Sequence, residues 1–119
     1  MLRFSTYLRP LSLMFLLAGL ALSYGQSASS LSGKHVLFLI GEHEYGTAES
    51  LPKFAKAELE PLGVKTSFAI AKSDDRKSPL CHEFDGLDAL EETDVLVISA
   101  RRRYPKAADM KRIRQWIES

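Results

Sequence analysis

A nearly unbroken apolar run, Val36 to Ile40, stops at Gly41 and gives way at once to Glu42, His43, Glu44 and Tyr45. A short apolar run bounded in this way reads as a central strand of a parallel sheet, buried on both faces. Open α/β sheets bind their ligands just beyond the carboxyl ends of the strands. The polar cluster therefore stands where such a fold places a site.

The rest of the pattern supports that frame. Strand one is predicted over about His35 to Gly41 and a helix over about Glu49 to Glu60, with Leu51, Phe54, Ala55, Leu59 and Leu62 on one face. Pro52 is placed in the first turn, where its missing N–H was unpaired anyway. Pro61 and Gly63 end the helix. A second strand is expected at about Val64 to Ile70. The polar stretch Ala71 to His82, with Asp74, Asp75, Arg76, Lys77 and Pro79, reads as a surface loop. Phe84 to Glu92 reads as a short acidic helix or turn with Phe84, Leu87 and Leu90 facing inward.

Asp94 leads into Val95-Leu-Val-Ile98, which reads as a second buried strand, ended by Ser99, Ala100 and Arg101 to Arg103. Pro105 opens a last helix in which Ala107, Met110, Ile113 and Ile117 share a face. Strands alternating with helices imply a parallel sheet with crossovers. The expected fold is α/β, a flavodoxin-like three-layer sandwich with about three parallel strands in the order 2-1-3. That order sets Glu42 to Tyr45 beside Arg101 to Tyr104.

The first residues carry a different message. Arg3 and Arg9 form a positive region, Leu11 to Leu22 is apolar, and small and polar residues follow from Ser23 to Ser30. This is the layout of a secretory signal peptide over residues 1–25, followed by a Ser-rich linker over 26–32. The apolar stretch falls short of the ~20 residues that a spanning helix needs. The chain is thus expected to be exported, periplasmic or extracellular, with no membrane attachment after cleavage. Without the leader, 14 basic residues face 15 acidic ones. That balance gives no electrostatic footprint for nucleic acid. A single cysteine, Cys81, excludes an internal disulfide. The chain stops at Ser119 inside an amphipathic pattern, and is expected to be part of a longer protein.

Two clusters carry the chemistry. Carboxylate and imidazole at Glu42 and His43 can do acid–base work, and they are the catalytic candidates. The plain alternative is a solvated loop whose side chains cap the following helix. No second His stands four residues after His43, so the zinc-protease pattern is absent and no metal is assigned. Guanidinium groups grip anionic or polyhydroxyl ligands through paired hydrogen bonds. Arg101 and Arg103, together with Tyr45, are the ligand-binding candidates. The plain alternative for the arginine run is solvation, or pairing with acids between Glu83 and Asp94. Cys81-His82 looks like a nucleophile and base, but neighbours in sequence seldom face one another, and its loop is expected to lie away from both clusters. His35 is read as a residue at the edge of a strand. No dinucleotide or P-loop glycine pattern is present, and no cofactor is assigned.

The segments Val36-Leu-Phe-Leu-Ile-Gly-Glu-His-Glu-Tyr45, Glu49-Ser-Leu-Pro-Lys-Phe-Ala-Lys56, Leu62-Gly-Val64 and Leu87-Asp-Ala-Leu-Glu-Glu-Thr-Asp-Val-Leu-Val-Ile-Ser99, with Arg101 to Arg103, resemble in order and spacing the ThuA-like (trehalose-utilisation) domain. The resemblance spans residues 33–119. It implies a flavodoxin-like domain related to class I glutamine amidotransferases, without their cysteine–histidine pair, and an association with carbohydrate use. It puts Glu42, His43, Tyr45 and Arg101 to Arg103 on a shared cleft. The family continues past the third helix into further strands and a histidine-bearing loop. A carbohydrate-related small molecule is the expected partner. A non-catalytic ligand- or domain-binding module is the alternative. An open edge on the third expected strand would invite self-association.

Overall fold

The computed structural model describes residues 30–119. The expected signal peptide and most of the linker lie outside the described residues. Within them the chain forms an α/β fold around one four-stranded mixed sheet. The elements in order are β1 (His35–Gly41), α1 (Thr47–Phe54), β2 (Lys65–Ala71), β3 (Phe84–Asp85), β4 (Val95–Ala100) and α2 (Ala107–Ile117). Among the described residues no helix is long and apolar enough to cross a membrane.

The sheet order is β3-β2-β1-β4. β1 pairs in parallel with β2 from His35↔Lys65 to Ile40↔Ile70, and with β4 from Val36↔Val95 to Gly41↔Ala100. The three expected strands are therefore neighbours in the expected order. β3 corrects the all-parallel expectation. It is a two-residue antiparallel edge strand, pairing Ile70 with Asp85 and Ala71 with Phe84. A strand this short has no period to read. The segment expected as a short acidic helix or turn is thus split into β3 and a 3-10 helix at Leu87–Glu92, with Phe84, Leu87 and Leu90 buried as expected.

Every residue of β1 is buried, because each face of the strand meets a helical layer. Val36, Phe38 and Ile40 pack with Ala55 and Val64, supported by Leu51 and Leu59 from the first helical segment. Leu37 and Leu39 pack on the other face with Phe84, Leu87, Leu90 and Ile113, supported by Trp116 of α2. This alternation of neighbours explains why an apolar run with no polar interruptions is required here.

The first helical segment departs from the expected regular helix. α1 begins two residues earlier than expected, so Pro52 sits inside it and not in its first turn. The segment then widens into a π-turn at Ala55–Leu59 and tightens into a 3-10 turn at Glu60–Leu62. Pro61 has no N–H, and its ring would strike the Ala57 carbonyl in an α-helical continuation, which gives a reason for the widening. Phe54 and Leu62, expected on the apolar face, are exposed.

α2 also turns differently from expectation. Ile113 is buried, while Met110 and Ile117 are exposed. Trp116 takes the inner position, and its Nε1–H donates to the Thr93 carbonyl at 3.0 Å. His35 is a correction too. It is buried in the central strand, with Nδ1 3.0 Å from the Glu92 carbonyl and Nε2 2.8 Å from the Ser67 hydroxyl. The carbonyl can only accept, so Nδ1 carries a proton and donates to it. Both ring nitrogens are satisfied within the core.

Candidate functional site

The chain runs from β1 to β2 on one side, then crosses to β4 on the other side of β1. The strand order therefore reverses between β1 and β4, and their carboxyl ends flank the kind of crevice in which α/β sheets hold ligands. Gly41 ends β1 at this point. A Cβ there would lie 2.9 Å from Phe84 Cζ and 3.0 Å from Arg103 Cγ. Only a glycine lets the Arg103 side chain and the Phe84 ring close over the strand end.

Past Gly41, the loop is held by Glu42. Its carboxylate is buried and accepts the Thr47 hydroxyl at 2.6 Å, the Tyr45 amide at 3.0 Å and the Thr47 amide at 3.2 Å. Thr47 Oγ1 in turn accepts the Ser99 hydroxyl at 3.2 Å, tying the loop to the end of β4. Gly46 stands at the N-cap of α1 with φ +64°, a left-handed conformation that suits glycine, so it supplies no side-chain cap and Glu42 satisfies N–H groups there instead. The Thr47 hydroxyl bond is the largest cause of a lowered Glu42 pKa. Burial opposes that shift, and the amide bonds of Tyr45 and Thr47 reinforce it.

Glu42 is therefore a loop brace. Its lowered pKa keeps it ionised at neutral pH, so it has no proton to give, and three of its acceptor sites are engaged by Tyr45 and Thr47. These contacts are those of the plain alternative, a carboxylate that caps the following helix.

The groups expected to line the crevice do meet. Arg101 Nη1 donates to Glu44 at 2.7 Å and to the Tyr45 hydroxyl at 3.2 Å, joining the loop after β4 to the loop after β1. Arg76, from the loop after β2, also pairs with Glu44. His43 Nδ1 lies 3.2 Å from Asp74 on that same loop. Glu42, His43, Glu44, Arg76, Arg101 and Arg103 line a narrow, closed-up crevice. Arg102 takes φ +55°, a backbone twist uncommon outside glycine. It is exposed, and it separates Arg101 at the crevice mouth from Arg103, which lies over Gly41.

Arg103 has the most unusual environment. Its Nε and Nη1 are buried and reach no acceptor among the described residues. Leaving a buried donor unpaired costs about 1–3 kcal/mol, and more when the group is charged. Such a group calls for an explanation.

Sequence reasoning missed Glu44 as a binding group, and it missed Asp74 and Arg76 altogether. The available signal was that β2 is parallel to β1, so the loop that follows it leaves the same edge of the sheet. The Cys81-His82 loop is likewise not remote. The Tyr104 amide donates to His82 Nδ1 at 3.1 Å, the two rings meet edge to face, and Lys106 pairs with Glu83 at 2.7 Å. Contrary to expectation, Cys81 Sγ does face its neighbour, 3.4 Å from His82 Nδ1. That nitrogen's single lone pair already takes the Tyr104 amide, and Cys81 is fully buried, so the pair lacks the free base and access that a nucleophile needs. No match to the chain is found among known protein families, curated proteins or solved structures.

Proposed function

We propose that this is an exported, ThuA-like, flavodoxin-related domain that binds a carbohydrate-related ligand at the carboxyl edge of its sheet, as a binding module before it is a catalyst. The observation that carries this reading is the meeting of three loops at one crevice, with Arg101 touching both Glu44 and Tyr45. Guanidinium and phenol groups at a strand-end crevice suit a polyhydroxyl ligand, which offers many acceptors and a ring to rest on an exposed tyrosine. Tyr45, Arg101 and Arg103 are the holding groups. The sequence resemblance supplies the link to sugars.

Calorimetric titration of the full chain with a panel of mono- and disaccharides, trehalose included, tests this. At least one sugar should bind, and Arg101→Ala should weaken it about tenfold or more. Failure of every sugar to bind, or binding indifferent to Arg101→Ala, contradicts the reading.

A second reading, processing of the ligand, is favoured by one feature. His43 Nδ1 is paired with Asp74, which orients the ring and leaves Nε2 as its acid–base atom. In that case His43→Gln abolishes turnover while affinity stays nearly unchanged. Loss of affinity in step with turnover would make His43 a binding group only.

A further inference from the structure

We propose that Glu44 stands in for the acidic group of the true ligand, so that the crevice selects a sugar bearing a carboxylate or a phosphate. This rests on the reading that the crevice binds a sugar-related ligand. Three guanidinium groups line it, from Arg76, Arg101 and Arg103. Of the two lining carboxylates, Glu42 is spent on the Tyr45 and Thr47 groups behind it. Glu44 alone answers the arginines, and it divides its two oxygens between Arg76 and Arg101.

The guanidinium donors outnumber what Glu44 can satisfy. Arg101 places a single nitrogen, Nη1, on both Glu44 and Tyr45. Arg103 Nε and Nη1 have no acceptor within reach among the described residues. A neutral sugar hydroxyl could accept one such bond. A carboxylate or phosphate accepts several at once, in the paired geometry that guanidinium groups prefer.

Glu44 also closes the crevice. With its carboxylate between Arg76 and Arg101, the enclosed space has no room for a water molecule. Glu44 lies on the loop beyond the Glu42 carboxylate that braces it, and its own side chain is partly exposed. Its departure would uncover the arginines without disturbing the sheet. An incoming acid that takes over Arg76 and Arg101 also gains access to Arg103. The Glu44 side chain thus acts as a competitor built into the site, and it lowers affinity for any ligand that must displace it.

The test is calorimetric titration of the full chain with glucuronate, glucose 6-phosphate, glucose and inorganic sulfate, for the native protein, Glu44→Gln and Arg103→Lys. Thermal melts confirm that each variant is folded. One or both acidic sugars should bind at least about tenfold more tightly than glucose, and the arm that binds identifies the acid. Glu44→Gln should tighten that binding about tenfold, because a neutral amide competes poorly for guanidinium groups. Arg103→Lys should weaken it by a similar factor; should that variant fail to fold, the Glu44→Gln result decides. Glucose binding as tightly as the acidic sugars overturns the inference and leaves the sugar reading standing. Acidic sugars binding Glu44→Gln no more tightly than the native protein overturns it also. Sulfate matching the acidic sugars, with the same response to Glu44→Gln, supports the stand-in and overturns the sugar reading beneath it. Absence of binding by all four probes overturns both.

Discussion

β1 and β4 read alike in sequence, pair in parallel with each other, and end at the same crevice, yet their surroundings differ. β1 is buried along its whole length, with Leu37 at 0% exposure. β4 leaves Val95 46% and Ile98 53% exposed. The cause is the number of neighbours. β1 has a strand on each side and a helical layer on each face, whereas β4 is hydrogen-bonded to β1 alone among the described residues. An apolar run therefore reports a demand for burial, and the demand at β4 is only half met.

That contrast can be broken most sharply by truncating one side chain on each strand. Leu37→Ala should cost about 3–4 kcal/mol, since it opens a cavity in a closed core. Ile98→Ala should cost less than about 1 kcal/mol, because much of that side chain already faces water. Urea unfolding curves measure both. Equal losses would mean that β4 is as well covered as β1. Next in size, Gly41→Ala should cost about 1–3 kcal/mol, as the added carbon meets Phe84 and Arg103 at the shared strand end.

The open edge of β4 gives the next test. Ile98→Lys should change stability by no more than about 0.5 kcal/mol while suppressing concentration-dependent association. Sedimentation velocity across a concentration series reads the effect. If the native chain stays monomeric throughout, the exposed edge is protected by some other means.

The smallest effect concerns pH and is confined to the loop after β1. Glu42 has a pKa below its ordinary value of 4.5, so its stabilising contribution is complete above that value. It is lost as pH falls through the lowered folded value, when the carboxylate takes up a proton. The protection of the Tyr45 and Thr47 amides, relative to their intrinsic exchange rates at each pH, should therefore fall below about pH 4.5, and Glu42→Gln should remove that dependence. No difference between native and variant protein would remove Glu42 from its bracing role.

How much of this was legible in the sequence follows from the same contrast. The Val36–Ile40 run, its glycine stop and the second run at Val95–Ile98 identify the two parallel strands, and parallel pairing alone brings Tyr45 and Arg101 together. The third loop was not legible. Arg76 and Asp74 sit in a stretch that reads as solvated charge, and nothing local announces a two-residue strand at Phe84–Asp85 that returns the chain beside β2. At Glu42 a bracing carboxylate and a catalytic one look the same in sequence. Thr47, five residues on at the start of α1, was the available hint. Exposure of β4 could not be read at all, since the side chains report what a strand needs and say nothing of which neighbours it has.

The central claim is that parallel β1 and β4, joined by the loop after β2, deliver one ligand-binding crevice. The most direct measurement is an amide chemical-shift titration of the full chain with glucuronate. Saturating shifts at Glu44, Tyr45, Arg76, Arg101 and Arg103, with a common midpoint, are the predicted result. Shifts confined to α2 and its surroundings, or unrelated midpoints for the three loops, would contradict it.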